Sequence, residues 1–511
     1  MKTQKCVALM CALLGFGSYA QAEFAPPKTE SIASQILHQN RTIEVYLPVE
    51  STKEPGARYE TLYVLDGDWN TKLVIEIVDF MRQLGMLPPI VVVSVPNYFD
   101  SHGVNSRDRD LTPSPVKDEP RSGGAPDFLA FLANELVPFV DRHYPTNGTH
   151  LVHGHSYGGL FLMYVLEHEP QLFDAYLVLD PAMWWDQNTF KAGLRDRLAS
   201  MPTRGKALYI AGRAGAGARD MGLDDLEPLL RAALPASLQW RMKLYEDETH
   251  DSLKLKATYD ALKFAYGGYS QDPVELAPAG GIVLAGHPVP LAVFGSRLDI
   301  HYTTDGSEPT RESPRYEAGP ILVSDPARTR VKLISTRGVF DRELAVNLKF
   351  GAALPPARGL RPGKAGDDWH YALYPSGAWP DLEAQRRVKP LREGTAARNL
   401  SLSDLGRERV TGRLVRNLSI PSDGYYIFGM RASRARLRLG GTQLISNDGP
   451  DDQRMHSDIV PLRRGIYPLS IDFESATGNP SLYVAVVRCT DDRPQWWTQH
   501  PWIELSARES P

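Results

Sequence analysis

The stretch that decides the fold reads His153-Gly-His-Ser-Tyr-Gly-Gly159. It holds the pattern Gly-x-Ser-x-Gly, follows an apolar run at residues 151–153 and precedes a helical run at residues 160–166. This context predicts a sharp turn from strand to helix that presents a serine hydroxyl outward. Glycines at 154 and 158 suit such a turn, because backbone segments approach closely there. Ser156 is the predicted nucleophile; an inert serine in a glycine-rich turn is the alternative.

Short apolar runs alternate with helical stretches on both sides of this turn, from about Glu30 to Tyr269. Such alternation predicts an α/β domain with a mostly parallel sheet. A helix is expected at residues 127–140, capped by Asp127 and with Pro138 late in it or kinking it. The predicted strands are residues 42–47, 61–65, 90–95, 150–153, 175–179, 207–210 and 239–244.

The character of the chain changes after Tyr269. Prolines and glycines punctuate the sequence, and the later segments are short and alternating, without a convincing helical pattern. A second Pro/Gly-rich joint at residues 351–363 divides this part. After an α/β domain at residues 23–271, two all-β sandwich domains are therefore predicted, at residues 272–352 and 353–511.

The first 22 residues are typical of a signal peptide, since Lys2 and Lys5 precede an apolar stretch and Ala20-Gln-Ala22 suits cleavage. No later segment has about 20 apolar residues, so no membrane span is expected. We expect a periplasmic or secreted protein that keeps Cys489 and lacks an internal disulfide. Removal of the signal peptide leaves 55 basic and 61 acidic residues, and no long basic stretch remains. This composition argues against nucleic-acid binding.

The predicted general base is His250. It lies in the loop Glu246-Asp-Glu-Thr-His-Asp-Ser252, directly after the last predicted strand. In the fold that this serine turn indicates, the chain order is nucleophile, acid, base, so the histidine is expected after that strand. A solvated histidine in an acidic loop is the alternative.

The predicted third member of the triad is Asp220. An acid is expected after the strand at residues 207–210, and Asp220 is the first carboxylate that follows it. The next acidic residues, Asp224, Asp225 and Glu227, suit the acidic first turn of a helix. The other interpretation is a Ser/His pair with no acid at this position.

Two backbone N–H groups are expected to hold the oxyanion of an acyl-transfer intermediate. Tyr157 follows the nucleophile and is predicted to supply the first. Asp68, in the turn after the strand at residues 61–65, is predicted to supply the second. A plain β-turn is the alternative at that place.

The histidines His153 and His155 lie two residues apart, which is a common element of zinc sites. Such a site needs further Asp and His ligands directly afterwards, but Tyr157 and Gly158 occupy those places. No metal and no other cofactor is therefore predicted. The expected surroundings are a strand end for His153 and the substrate for His155.

Six segments, taken in order, resemble the putative esterase family, which includes esterase D, feruloyl esterases and enterobactin esterases. The resemblance covers most of residues 30–269 and implies an α/β-hydrolase fold, ester hydrolysis, Ser156 and His250 as nucleophile and base, and Tyr157 and Asp68 as oxyanion residues. The segments are Glu44-Val-Tyr-Leu-Pro48, Tyr63-Val-Leu-Asp-Gly67, Arg107-Asp-Arg-Asp-Leu-Thr-Pro113, Phe139-Val-Asp-Arg-His-Tyr-Pro145, Gly154-His-Ser-Tyr-Gly-Gly159 and Asp180-Pro-Ala-Met-Trp-Trp185.

The same resemblance places the pair Trp184 and Trp185 at the border of the substrate cleft, and Trp69 is expected to contact the substrate as well. Two positions depart from the family. Asp180 stands where the family usually has a serine before proline, and Arg213 stands at the acidic position after the strand at residues 207–210. The first departure leaves a carboxylate without an assigned role, and the second removes the usual triad acid.

The β-rich part carries two further resemblances. Ile300-His-Tyr-Thr-Thr-Asp-Gly-Ser-Glu-Pro-Thr310 with Ser313-Pro-Arg-Tyr316 is similar to the immunoglobulin-like C-terminal domain of chitobiases. Gly424-Tyr-Tyr-Ile-Phe428, Arg436-Leu-Arg-Leu-Gly-Gly441 and Leu462-Arg-Arg-Gly-Ile-Tyr467 resemble a PA14 domain, a β-sandwich often used to bind glycans.

Glycan contact by the C-terminal domains is expected from this second resemblance. Sugar-binding PA14 domains often hold calcium on adjacent aspartates, whereas this sequence reads Ser433-Arg-Ala-Arg436 there. Trp369 and Trp379 are candidates for stacking on a saccharide, with core packing as the alternative.

The expected substrate is a small-molecule ester, such as a siderophore, or a polysaccharide ester. Acyl transfer on the same fold is one alternative function. A secreted glycan-binding protein whose hydrolase domain is inactive is the other.

Overall fold

The computed structural model describes residues 24–198, 205–294, 298–317, 319–359, 368–375, 389–396, 410–432, 434–449, 455–474, 482–489 and 503–505. They form two compact units. One unit extends to Asp272 and also takes in Ser335–Asp341, and the other begins at Pro273 and holds the remaining residues. The predicted signal peptide, Trp379 and Ser433 lie outside the described residues.

The first unit is built on an eight-stranded sheet in the order β1-β2-β4-β3-β5-β6-β7-β8. Strands β3 to β8 pair in parallel, while β1 and β2 are antiparallel to their neighbours. Each predicted strand is found, which confirms a mixed sheet with parallel strands. The strands are β1 (Lys28–Ser34), β2 (Gln39–Tyr46), β3 (Tyr59–Leu65), β4 (Ile90–Val95), β5 (Thr146–His155), β6 (Ala175–Leu179), β7 (Ala207–Arg213) and β8 (Gln239–Tyr245).

Helices cover both faces of this sheet. A π-helical turn, Leu132–Leu136, joins α4 to α5, and a 3-10 turn, Trp185–Asn188, precedes α7. The helices are α1 (Glu50–Lys53), α2 (Gly67–Gln83), α3 (Arg107–Asp110), α4 (Ala125–Phe131), α5 (Val137–His143), α6 (Tyr157–His168), α7 (Thr189–Leu198), α8 (Ala216–Asp220), α9 (Leu226–Ala233) and α10 (Leu253–Ala265).

The helix predicted at residues 127–140 is interrupted in the structure. Pro138 lies in the first turn of α5, where its missing N–H leaves no hydrogen bond unmade. The predicted cap is wrong, because α4 begins at Ala125 with Gly124 at its N-cap. Asp127 lies in the first turn instead, where its charge suits the helix dipole.

The central strands are apolar on both faces because each face packs against helices. Leu177 contributes to the cluster that includes α2 and α10, and its neighbour Val178 contributes to the cluster that includes α4 and α6. This arrangement produces the continuous apolar runs that the sequence shows. Among the described residues, no helix combines the length and the apolar character needed to cross a membrane.

The second unit is a set of β-sheets, and its described residues contain no helix. Its strands are β9 (Glu275–Ala277), β10 (Gly280–Val283), β11 (Val289–Phe294), β12 (Ile300–Thr303), β13 (Ile321–Val323), β14 (Arg330–Leu333), β15 (Arg342–Leu344), β16 (Asn347–Phe350), β17 (Trp369–Pro375), β18 (Arg392–Ala396), β19 (Val410–Ile420), β20 (Gly424–Arg431), β21 (Arg434–Leu439), β22 (Thr442–Asn447), β23 (His456–Leu462), β24 (Gly465–Glu474), β25 (Leu482–Arg488) and β26 (Ile503–Leu505).

One sheet of this unit crosses the predicted boundary at residue 352. Its order is β16-β10-β23-β20-β25-β26, and β10 runs parallel to β23. The sheet contradicts the prediction that residues 272–352 and 353–511 form two separate sandwiches. Trp369 is fully buried, so its indole packs in the core of this unit rather than offering a face to a saccharide.

The segment Ser335–Asp341 completes the first unit, although it lies far beyond the predicted boundary at residue 271. The guanidinium of Arg337 is fully buried and lies 2.7 Å from a carboxylate oxygen of Glu60. It also donates a hydrogen bond to the carbonyl of Ala265, at 3.0 Å, and lies over the ring of Tyr266. These contacts correct the boundary, because the first unit needs a segment from the β-rich part of the sequence.

Candidate active site

Ser156 lies at the turn between β5 and α6 with φ 61° and ψ −118°. Its N–H donates to the carbonyl of Leu179, at 3.0 Å, which ties the turn to β6. A Cβ on Gly154 would lie 2.5 Å from the carbonyl oxygen of Gly158, and one on Gly158 would lie 3.2 Å from Asp66 Oδ2. The close backbone approach that the sequence predicts at these glycines is present, and Ser156 is partly exposed.

His250 lies in the loop between β8 and α10. Its Nδ1 is 2.7 Å from Oδ2 of Asp180, and about a third of its side chain is exposed. Because a carboxylate only accepts hydrogen bonds, Nδ1 carries the hydrogen and Nε2 is left as the basic nitrogen of the neutral ring. The loop thus presents an imidazole in the tautomer that general-base chemistry requires.

Asp180 directly follows β6, has φ 40° and is fully buried. Besides His250, its carboxylate binds Arg213, which donates from Nε at 2.7 Å and from its backbone N–H at 3.3 Å. Burial acts to raise the pKa of the Asp180 carboxyl, but the hydrogen bonds from His250 and Arg213 and the charge of Arg213 together hold it below its ordinary value. Asp180 is therefore an ionised partner for His250.

This geometry corrects the prediction of Asp220 as the acid. Asp220 is exposed at the end of α8, and the carboxylate beside His250 is that of Asp180. The ends of the parallel strands β6 and β7 are neighbours, with Leu179 paired to Ala211. Arg213 at the end of β7 therefore reaches Asp180 after β6, and the two departures from the esterase pattern form one ion pair.

The side chain of His155, which was predicted to contact the substrate, is buried against His250. It is 6% exposed, and its Nε2 donates a hydrogen bond to the backbone carbonyl of His250, at 2.8 Å. His153 is also buried, and its Nε2 lies 3.0 Å from the hydroxyl of Thr258. The two histidines thus bind different partners, and no group of three His, Cys, Asp or Glu side chains suited to a metal occurs among the described residues.

Both predicted oxyanion residues begin helices. Tyr157 is the first residue of α6, and Asp68 lies in the first turn of α2. Backbone N–H groups in a first turn have no partner within the helix. The carboxylate of Asp68 accepts two hydrogen bonds from Asn97, from the backbone N–H and from Nδ2, each at 3.0 Å. This contact fixes the start of α2 next to the loop after β4.

Asp66 and Arg107 form an ion pair to which the sequence interpretation assigned no role. Arg107 Nε and Nη2 lie 2.7 and 3.0 Å from the two carboxylate oxygens of Asp66, which is almost fully buried. The guanidinium lies 5.3 Å from the ring centre of Trp69 and 5.0 Å from that of Tyr157. The available signal was the recurring motif at residues 107–113, which contains Arg107.

The aromatic residues expected at the substrate cleft differ in exposure. Trp69 is 56% exposed and Trp184 is 41% exposed, and the ring of Trp184 lies 6.2 Å from that of Tyr157. Trp185 is 1% exposed, and its Nε1 donates to the carbonyl of Ser114, at 3.2 Å. The prediction for Trp185 is therefore corrected: it is a core residue, and the partly exposed aromatic surface is Trp69, Tyr157 and Trp184.

Comparison with known protein families finds a match within the first unit. Residues 34–252 match the Putative esterase family. Residues 278–342 match the C-terminal domain of chitobiases and β-hexosaminidases. The esterase match includes Ser156, Asp180 and His250. The chitobiase match extends through Ser335–Asp341, the segment that packs in the first unit.

The curated relatives that match this chain are named as esterases. The ferri-bacillibactin esterase BesA of Bacillus subtilis is 28% identical over 180 residues, which are 32% of this chain and 62% of the relative. The siderophore triacetylfusarinine C esterase of Aspergillus fumigatus is 34% identical over 99 residues, which are 19% of this chain and 34% of the relative. The chain thus spans less than two thirds of the length of these relatives.

One of the solved structures that are similar to this chain is an IroE-like serine hydrolase from Shewanella oneidensis. It is 26% identical with a TM-score of 0.43, and the likeness covers 47% of this chain and 79% of that one. The siderophore hydrolase EstA of Aspergillus nidulans is 23% identical with a TM-score of 0.41, covering 52% of this chain and 99% of that one.

Proposed function

We propose that the chain is a serine carboxylic-ester hydrolase that works through an acyl-enzyme on Ser156. The observation that carries this proposal is the hydrogen bond from His250 Nδ1 to the buried carboxylate of Asp180, in a unit whose strained turn presents Ser156. A serine hydroxyl becomes a useful nucleophile only when a base takes its proton, and His250 has Nε2 available for that task. The names of the curated relatives support the same chemistry.

In the proposed reaction, His250 Nε2 takes the proton from the hydroxyl of Ser156 while Oγ bonds to the ester carbonyl carbon. The carbonyl becomes an oxyanion, which the backbone N–H groups of Tyr157 and Asp68 bind. Its collapse breaks the bond to the alcohol oxygen, which leaves with the proton from His250. Water then gives a proton to His250, attacks the acyl carbon and releases the acid, which restores Ser156.

Asp180 stabilises the imidazolium that forms on His250 in both steps and holds the ring in one tautomer. Arg213 keeps this carboxylate ionised in spite of its burial. The pair also limits the net negative charge at the site, because one guanidinium and one carboxylate compensate each other. The proposed triad is therefore Ser156, His250 and Asp180, with Arg213 as the partner of the acid.

We propose a siderophore ester as the substrate class. The curated relatives are named for siderophore esters. The exposed ring of Trp184 lies beside Tyr157, the residue after the nucleophile, and the exposed ring of Trp69 contacts the same guanidinium as Tyr157, that of Arg107. Flat aromatic groups of an ester can stack on such rings. An ester on a polysaccharide is the competing substrate.

The function is tested by hydrolysis of acetyl and butyryl p-nitrophenyl esters by the purified chain. Ser156→Ala should lower turnover by roughly 10⁴- to 10⁶-fold, and a fluorophosphonate should label the wild-type chain but not this variant. Comparable rates in the two proteins would end the serine mechanism. Products formed with an added acceptor alcohol separate hydrolysis from acyl transfer.

The substrate class is tested by comparing kcat/KM for a siderophore ester, a feruloyl ester and an acetylated sugar. We expect the siderophore ester to be preferred, and Trp184→Ala to raise KM for it about tenfold, the effect of losing one stacking contact. A small aliphatic ester is the matched control, because it offers no ring to stack. A preference for the acetylated sugar would favour the polysaccharide alternative.

We also propose that the β-rich unit, which carries the segments that resemble a PA14 domain, contacts a glycan. A cavity of about 340 Å³ in this unit has polar lining groups that suit sugar hydroxyls, among them Asn347, Gln443 and Asp458. Burial raises the pKa of Asp458 to about 6. The variant Asp458→Ala should lose retention on the glycan while its ester hydrolysis stays unchanged; equal retention of variant and wild type would contradict this.

We propose, finally, that the protein is exported to the periplasm or beyond and that residues 1–22 are removed. The basic start, apolar stretch and small-residue cleavage site support this. Cell fractionation and the mass of the mature chain test it; a full-length chain in the cytoplasm would contradict it.

A further inference from the structure

His155 is a buried histidine that directly precedes the nucleophile and contacts the base. It is the last residue of β5, and Ser156 follows it in the turn. Its Nε2 donates to the backbone carbonyl of His250, at 2.8 Å, and the two rings lie 4.2 Å apart between their centres, tilted by 39°. One side chain therefore contacts both the backbone and the ring of His250.

We propose that His155 is a positioning residue that holds the loop of His250 against β5, so that the imidazole stays between Ser156 and Asp180. This inference rests on the proposed function, because it concerns how the base is held. The strand that ends in the nucleophile thereby also fixes the base. Catalysis gains from such a common support, because small displacements of reacting groups are costly.

The loop around His250 has two buried connections to the sheet. The His250 side chain reaches Asp180, directly after β6, and the His250 backbone carbonyl accepts the bond from His155 at the end of β5. The other contacts lie near the surface: Thr249 and Ser252 exchange two hydrogen bonds, from the N–H of each to the hydroxyl of the other, at 2.9 and 3.0 Å, and Glu248 pairs with Lys256 on α10. The bond from His155 is thus the contact that ties the backbone of this loop to β5.

The protonation state of His155 allows it to donate the hydrogen bond to His250 at all times. Burial lowers the pKa of His155 to about 3, and the nearby positive charge of Lys254 and the neighbouring His250 and His153 act in the same direction. Asp251 faces the same region but pairs with Lys254, at 3.0 Å. His155 therefore stays neutral near pH 7, with its hydrogen on Nε2, and does not compete with His250 for the serine proton.

Three variants separate this role from a substrate contact. His155→Phe keeps a ring against His250 but removes the donor, so kcat should fall about 10- to 100-fold, while KM stays within about twofold. His155→Gln keeps an Nε2 donor and should recover most of kcat. The pH profile of kcat/KM should keep its form in both variants, because His155 does not change its protonation state near pH 7.

His153→Phe is the matched control. His153 lies on the same strand, is equally buried and also donates or accepts through Nε2, but its partner is Thr258 on α10 rather than His250. We expect it to lower the unfolding temperature at least as much as His155→Phe does, with kcat for the folded fraction near that of the wild type. The comparison separates positioning of the base from loss of stability.

Labelling of Ser156 by a fluorophosphonate provides a second readout, and it should slow in His155→Phe in parallel with kcat. Unchanged kcat and labelling in His155→Phe would overturn the inference and leave the proposed function intact. A rise in KM that is equal in the Phe and Gln variants would assign His155 to substrate contact instead. A wild-type chain that neither hydrolyses esters nor becomes labelled would overturn the proposed function itself.

Discussion

The Nδ1 of His250 lies 2.7 Å from Oδ2 of Asp180, a residue 70 positions earlier in the chain. The same oxygen accepts the Nε hydrogen of Arg213, also at 2.7 Å. One carboxylate oxygen thus joins the ends of β6 and β7 to the loop after β8. The acid of the proposed triad comes from the position after β6, and a cation stands at the position after β7 where an acid was expected.

The first prediction concerns this carboxylate. Asp180→Asn keeps the shape of the side chain but removes the charge that stabilises the imidazolium and selects the tautomer of His250. Turnover of a p-nitrophenyl ester should fall by roughly 10³- to 10⁴-fold, the size of loss that follows removal of a triad acid's charge. Asp220→Asn is the control and should leave the rate unchanged, since that side chain is exposed and the carboxylate that binds His250 is Asp180. A larger loss of turnover from Asp220→Asn than from Asp180→Asn would instead support Asp220 as the triad acid.

The second prediction concerns Arg213 and pH. Arg213→Met leaves the charge of Asp180 uncompensated, so the imidazolium form of His250 gains stability and a higher pH is needed to free the base. The acid limb of kcat/KM should move up by about one pH unit, which is the usual effect of one adjacent charge. Arg213→Lys, measured in the same assay, should keep the limb close to that of the wild type. A limb that stays in place in Arg213→Met would show that the guanidinium does not act on the base.

Much of the first unit could be predicted because its strands are buried on both faces. Strands such as β4 and β6 are buried at every position and almost continuously apolar, which makes them visible in the sequence. Strand β1 was missed because four of its seven residues are exposed and its pattern shows no continuous apolar run. The nucleophile was visible for a similar local reason, since Ser156 and its glycines lie within one short turn.

The acid could not be predicted from local pattern, because it depends on which strand ends are neighbours. Asp180 and Arg213 are 33 residues apart and meet through the pairing of β6 with β7. Their joint departure from the family pattern was the available signal, since a misplaced carboxylate and a misplaced cation compensate each other. The prediction for Trp185 was wrong because the sequence does not show which of two adjacent tryptophans is buried: Trp184 is exposed and Trp185 is not.

The third prediction concerns strain at the nucleophile. Ser156 has φ 61° and ψ −118°, a conformation that residues with a Cβ adopt at a cost of about 1–3 kcal/mol. Ser156→Gly should therefore have a free energy of unfolding about 1 kcal/mol above that of Ser156→Ala, although both variants lack the hydroxyl. Chemical denaturation measures the difference.

The matched control for this strain is Thr189, an exposed residue at the start of α7 with the ordinary helical angles φ −58° and ψ −42°. At that position Thr189→Gly should be less stable than Thr189→Ala, because glycine there relieves no strain and adds freedom to the unfolded chain. The same order of stability at both positions would show that the turn of Ser156 holds no strain.

The last prediction concerns Arg337, which belongs to the β-rich part of the sequence but packs in the first unit. Its side chain is fully buried against Glu60. Arg337→Ala leaves this carboxylate without its charge partner, and such a loss costs about 3–5 kcal/mol. Unfolding of the first unit, followed through loss of ester hydrolysis in denaturant, should therefore begin at a clearly lower concentration than in the wild type.

Two further variants separate the buried charge from a general effect of removing an arginine. Glu60→Gln combined with Arg337→Met should be more stable than Arg337→Ala, because no unpaired charge is left inside. Arg330→Ala, which removes an exposed pair with Glu308, should cost at most about 1 kcal/mol. If Arg337→Ala and Arg330→Ala lost activity at the same denaturant concentration, Ser335–Asp341 would not be an integral part of the first unit. If they differ as expected, a chain cut at Asp272 should lose activity at a lower denaturant concentration than the whole chain, because it lacks the guanidinium that Glu60 requires.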